Sequence, residues 1–180
     1  EPVQWTVGSW VVLATTDFQR EHSEMVQVAG LTDGGHTVVL EEPLKYMHLG
    51  EDQVLGSRSV PFRAEVGLLT HNILIRGDAD FDYCEPDSVA PDGTQISCNG
   101  FAAHVFLHSP GDESLVGRFS GVEFANMGQD ARLGRYALHY HMIGTVSRSF
   151  VDRCSFHHSA NRGLAIHGVK KLRVSNCVAH

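Results

Sequence analysis

Apolar residues come in short, strand-length bursts along the whole chain. β-prone runs stand at residues 10–14, 37–40, 73–76, 104–107, 122–124, 138–143 and 172–174. Turn-forming residues separate them, among them Gly34-Gly35, Gly77-Asp78 and Pro110-Gly111-Asp112. Runs of Val, Ile, Leu and Phe bounded by Gly, Pro and Asp read as strands. A helical period is poor over any helix-length window, and residues 17–25 are the best short helical candidate. The pattern predicts an all-β chain.

The C-terminal third repeats itself. Residues 119–124, 151–156 and 174–179 each place an apolar residue, two turn-like residues, and then two positions of one face two apart, at offsets of 32 and 23 residues. One strand-turn-strand unit per repeat of this length is the signature of a parallel β-helix coil, although strands of a sandwich can share the spacing. In the β-helix register Val122, Cys154 and Cys177 stack inside, as do Phe124, Phe156 and Ala179. Cys154 and Cys177 then lie on adjacent rungs about 4.8 Å apart. Such a pair forms either a buried thiol ladder or a disulfide.

Composition narrows the class. The chain is 42% apolar and 19% charged over 180 residues, enough for one packed domain or a slice of a larger one. No run of eighteen apolar residues occurs to span a membrane. The chain opens on Glu1-Pro2 without Met, as a mature product or an excised piece does. Charge is divided along the chain. Residues 1–131 carry a net −14, and residues 132–180 a net +7. A basic region of this kind either attracts a polyanion or is neutralised by neighbouring segments. Cys84 and Cys98 bracket an acidic, Pro- and Ser-rich stretch; a bridge between them would close a 15-residue loop. It would stabilise the fold by about 3 kcal/mol in the chain-entropy view. A bridge of this kind points to an oxidising, extracellular compartment.

The histidines carry the candidate chemistry, with eight of twelve from residue 104 onward. Strand alternation at 138–142 puts Leu138, Tyr140 and Met142 on one face and His139 and His141 on the other. Leu164 and Ile166 facing the core turn His167 outward, and His158 lies at a turn nearby. Stacked on adjacent coils, His139, His141 and His167, with His158, make a candidate site for zinc or a similar divalent metal. The alternative is a hydrogen-bonded ladder that orders the coils. His157 and His180 repeat at the spacing of the cysteines, which favours a structural stack for that pair.

Other motifs are weaker. Asp78, Asp80 and Asp82 have calcium-like spacing, but Tyr83 and Val89 stand where an EF-hand has Gly and Glu, so an acidic solvated loop is expected. Asp152 is the only acid after residue 131, and a Glu123/Asp152 pair for glycoside cleavage has nothing further in the sequence behind it. Arg135, Arg153 and Arg162 offer forks for the carboxylates of an anionic glycan, and Tyr136 or Tyr140 faces for its sugars. Lys170 and Lys171 more simply occupy a turn. Nucleic acid is not an expected partner of this overall acidic chain, and the segment itself is expected to make no membrane contact.

Several stretches carry a resemblance: residues 8–18, 63–70, 120–128 and 133–144, continuing through 154–159 to 165–168. They resemble the extracellular family of fibrocystin, fibrocystin-like proteins, and the cell-migration-inducing and transmembrane hyaluronidases. The resemblance implies a right-handed parallel β-helix in an extracellular or cell-surface protein. A β-rich G8-type module would lie upstream, and further coils would follow His180. On that reading residues 1–100 are an irregular β-rich segment with an acidic loop at 78–98, and 101–180 are β-helix coils. The expected role is a surface or matrix module that is structural, assembles, or binds a glycan. Its partners would be an acidic polysaccharide, neighbouring modules, or further copies stacked through open coil ends. The alternative is part of a hyaluronidase-like enzyme that depolymerises an acidic polysaccharide. Asn161 and Gly163 lean toward the fibrocystin-like members, since the hyaluronidases tend to carry Ser-Arg-Cys across 161–163.

Overall fold

The computed structural model describes residues 2–78, 102–130 and 132–180. The chain is all-β and divides into two compact units, Glu1–Thr70 and His71–His180. Expectations for Cys84, Cys98, Asp80 and Asp82 fall outside the described residues.

The first unit is antiparallel. Strands β1 (Trp10–Leu13), β2 (Glu24–Thr32), β3 (Thr37–Leu40), β4 (Gly50–Leu55), β5 (Arg58–Arg63) and β6 (Val66–Leu68) follow in order. They make a sheet in the order β3-β2-β1-β6 and a β4-β5 hairpin. Val11, Leu13, Val26 and Val28 supply its buried core. Residues 17–25 are not a helix. They hold a 3-10 turn at Arg20–His22, and then β2 begins. The cause is tertiary, because Glu24 is buried at the start of β2. Its carboxylate accepts from the N–H groups of Lys45 and Tyr46 at 2.8 and 3.0 Å and from His48 Nε2 at 3.0 Å.

The second unit is parallel. Its strands are β7 (Ile73–Arg76), β8 (Val105–His108), β9 (Arg118–Ser120), β10 (Val122–Ala125), β11 (Leu138–Thr145), β12 (Phe150–Asp152), β13 (Ser155–His157), β14 (Leu164–Lys170), β15 (Arg173–Ser175) and β16 (Val178–Ala179). From β8 on, the chain visits three parallel sheets in turn. Their orders are β14-β11-β8, β15-β12-β9 and β16-β13-β10-β7. Phe124 pairs with Phe156, and Phe156 with Ala179, so the repeat offsets are the register of the third sheet. β7 pairs with β10, so the parallel unit starts upstream of residue 101.

Apolar stacking along these rungs makes the core. The Phe124 and Phe156 rings lie 4.9 Å apart and nearly parallel. Leu138, Tyr140, Ile143, Val151 and Cys154 are buried around them. Cys154 and Cys177 are free thiols, with Cys177 partly buried against the core. Ala179, which continues the same stack beside Phe156, is exposed rather than enclosed.

The corner before the third sheet turns on a single left-handed residue on every pass. Gly121, Arg153 and Asn176 hold it with φ of 61°, 50° and 53°. A left-handed residue turns the chain in a single step, and glycine and asparagine tolerate it best.

Candidate functional site

Strand β11 builds the site by alternation. Leu138 and Tyr140 point into the core, while His139 and His141 take the opposite face. Alternation stops at Met142, where the register shifts and φ becomes 52°. Met142 is therefore half exposed rather than in the core. On β14, His167 pairs with His141 across the sheet, and on β8 His108 does the same from the other side.

His139, His141 and His167 converge, with one ligand atom of each lying within 4.8 Å of the others. His139 is 3% exposed, although it stands on the outer face. The segment 132–136 and the Tyr136 and Phe106 rings cover it, the rings at 4.9 and 5.2 Å. Its Nδ1–H donates to the Gly134 carbonyl at 2.9 Å. That fixes the tautomer, and Nε2 is left buried without a hydrogen-bond partner among the described residues. Metal-binding imidazoles characteristically have their second nitrogen anchored in this way. His141 and His167 bring their Nδ1 atoms to 3.1 Å. Burial lowers the His141 pKa, and the neighbouring His139, His167 and His108 lower it further. A neutral ring is the form that ligates. Tetrahedral zinc sets its donor atoms about 3.3 Å apart, so the three rings would have to draw in.

An open depression of ≈ 590 Å³ lies over the three rings. Tyr136 and Arg162 form one wall. The Arg162 guanidinium donates to the Tyr136 hydroxyl at 2.7 Å and lies 5.1 Å from the centre of its ring. No carboxylate lines the depression among the described residues.

The remaining candidates sit elsewhere. His158 is not with the three histidines; it stands past β13 with its Nδ1 2.7 Å from that of His157. Tyr140 offers no face to a sugar, since it is fully buried and donates its hydroxyl to the Gly117 carbonyl at 3.0 Å. Burial raises its pKa well above the ordinary tyrosine value. Arg153 lies at the corner after β12, paired with Asp152 at 3.1 Å. Arg135 is exposed and donates to the Gln129 side chain. Glu123 and Asp152 belong to different sheets and bond separately, Glu123 to His157 and Asp152 to Ser175. Phe106 and His108 enter the site unforeseen. Their sign in the sequence is the 33-residue offset that puts Phe106 under His139 and His108 under His141.

The chain matches known proteins along its length. Residues 100–180 match the family described as the CEMIP beta-helix. Fibrocystin-L of Mus musculus is 34% identical over all of this chain. A G8 domain-containing protein of Dictyostelium discoideum is 32% identical over 99% of it, and the human cell surface hyaluronidase CEMIP2 is 29% identical over 97%. The chain spans only 5, 14 and 12% of the lengths of these three proteins. With parallel rungs in the matched region and similarity over the full chain, the chain is a homologue of the fibrocystin-L, G8-domain and CEMIP2 proteins, and its residues 100–180 match the CEMIP beta-helix family.

Proposed function

We propose that the second unit is a stretch of right-handed parallel β-helix in a cell-surface or extracellular protein. On this reading its histidine face holds a divalent metal beside a binding site for an acidic polysaccharide. The observation that carries the proposal is the convergence of His139, His141 and His167, with the His139 Nε2 buried and without a hydrogen-bond partner among the described residues. A buried polar atom without a partner is costly, and a metal ion would satisfy it. Parallel β-crossovers are right-handed almost without exception, which supports the hand. Arg162, exposed and anchored by its bond to the buried Tyr136 hydroxyl, supplies a fork for a uronate carboxylate.

A second reading is a segment of a glycan-depolymerising enzyme, favoured by the identity to a cell surface hyaluronidase. Two facing carboxylates are absent from the described lining, so glycoside cleavage by a carboxylate pair has no support there.

Elemental analysis and hyaluronan binding on the intact protein test the proposal together. Stoichiometric metal is expected, falling by more than about tenfold in occupancy in His141→Ala. Glycan affinity should drop roughly tenfold in Arg162→Ala while metal content stays unchanged. Shortening of the glycan by the wild type, lost in His141→Ala, would move the assignment to an enzyme. No metal and no glycan binding would overturn the proposal and leave the histidines as a packed ladder in a structural module.

A further inference from the structure

A second constellation stands at the end of β13, and the reading above makes no use of it. Glu123, on β10, presents a side chain only 13% exposed. Its two oxygens accept from two donors: Oε2 from the His71 backbone N–H at 2.9 Å, and Oε1 from His157 Nε2 at 3.0 Å. His157 is buried, and its Nδ1 lies 2.7 Å from Nδ1 of His158. Consecutive residues of a strand normally point to opposite faces. At His158 the backbone turns left-handed, with φ 51°, and the two rings meet edge-on at 5.0 Å.

The proton positions follow from the partners. A carboxylate only accepts, so His157 Nε2 carries a proton. Burial lowers the His157 pKa against the opposing pull of Glu123, which leaves the ring neutral and its Nδ1 a lone pair. His158 Nδ1 must then donate, and in the neutral His158 ring Nε2 is the lone-pair nitrogen. His158 is exposed, and the other titratable groups in the cluster are the imidazoles of His71 and His180. We infer that Glu123, His157 and His158 form a carboxylate–imidazole–imidazole relay that presents the His158 Nε2 lone pair as a base to an O–H donor, the chemistry a sugar hydroxyl offers. Glu123 and His157 are positioning residues; His158 makes the contact. The relay is independent of metal at the other histidines.

The carboxylate sets the direction of the chain. In Glu123→Gln one oxygen and one NH₂ face two donors. The His71 N–H cannot change, so it keeps the oxygen, and the amide N–H then faces His157. An imidazole can exchange tautomers, so each proton moves one place and His158 Nε2 becomes an N–H.

Nitrogen-15 NMR of histidine-labelled intact protein reads this directly, at about pH 7.5, above the ordinary histidine pKa. His158 is expected as the Nδ1–H tautomer in the wild type and as Nε2–H in Glu123→Gln. Ethoxycarbonylation of His158 by diethyl pyrocarbonate, mapped by peptide mass spectrometry, should be several-fold slower in the variant. A wild-type His158 found as Nε2–H, or equal modification rates in the two folded proteins, overturns the relay. If Glu123→Gln does not fold, the wild-type tautomer alone decides.

Discussion

Tyr140 and His139 adjoin on one strand, and alternation gives them opposite fates. Tyr140 goes into the core, where its hydroxyl meets the Gly117 carbonyl. Tyr140→Phe keeps the ring and removes that bond, and should cost about 1 kcal/mol, seen as a lower Tm. Glycan affinity should not change, because the ring never reaches the surface; a loss of binding with unchanged stability would contradict the buried placement. Alternation made the facing of both residues readable from Leu138 to His141. The cover over His139 was not readable, because it comes from the path of residues 132–136, whose turn has no period. His139 stands on the outer face of its strand, as alternation predicts, yet is sealed from water. The same blindness placed His158 near the other histidines. A single left-handed residue redirects a side chain, and that conformation leaves no mark when the residue is His.

At the scale of elements, register is what holds the parallel unit together. The offsets of 32 and 23 were legible because Phe124, Phe156 and the two cysteines repeat a recognisable face. The pairing of β7 with β10 was not, because its offset of 49 residues brings Ile73 and Ile75 beside Val122 and Phe124 with no repeated motif. Turns impose the tighter limits. Gly163 precedes β14, and a Cβ there would stand 2.7 Å from Phe156 Cβ, too close for any rotamer to relieve. Gly163→Ala should therefore cost about 1–3 kcal/mol through displaced packing of the Phe124–Phe156 stack. Near-ultraviolet circular dichroism and a denaturant midpoint would record it; an unchanged midpoint would show that the β13–β14 connection yields freely. The glycine singled out in the sequence as a departure from the hyaluronidases thus has a packing reason in this chain.

At the scale of the whole molecule, the two units are built to fail in acid at different points. In the first unit burial pushes the Glu24 carboxyl up, but the Lys45 and Tyr46 N–H groups and His48 outweigh it and hold it below the usual carboxylate range. The unfolded chain then binds the proton more readily, so this stability is present above the ordinary glutamate pKa and is lost as pH falls through the folded value. In the second unit burial lowers the pKa of His71 and of His157, in both cases against the raising influence of Glu123. Again the unfolded chain binds protons first, but here from the ordinary histidine range near pH 6.5 downward. The parallel unit should therefore weaken between neutrality and about pH 5, while the antiparallel unit holds until the carboxylate range. Hydrogen exchange of the intact protein, read peptide by peptide across that range, separates the two. Protection should fall first around β10, β13 and β16, and only at lower pH around β1 and β2. Loss in the reverse order would mean that a carboxylate, and not buried neutral imidazole, governs the acid limit of the parallel unit.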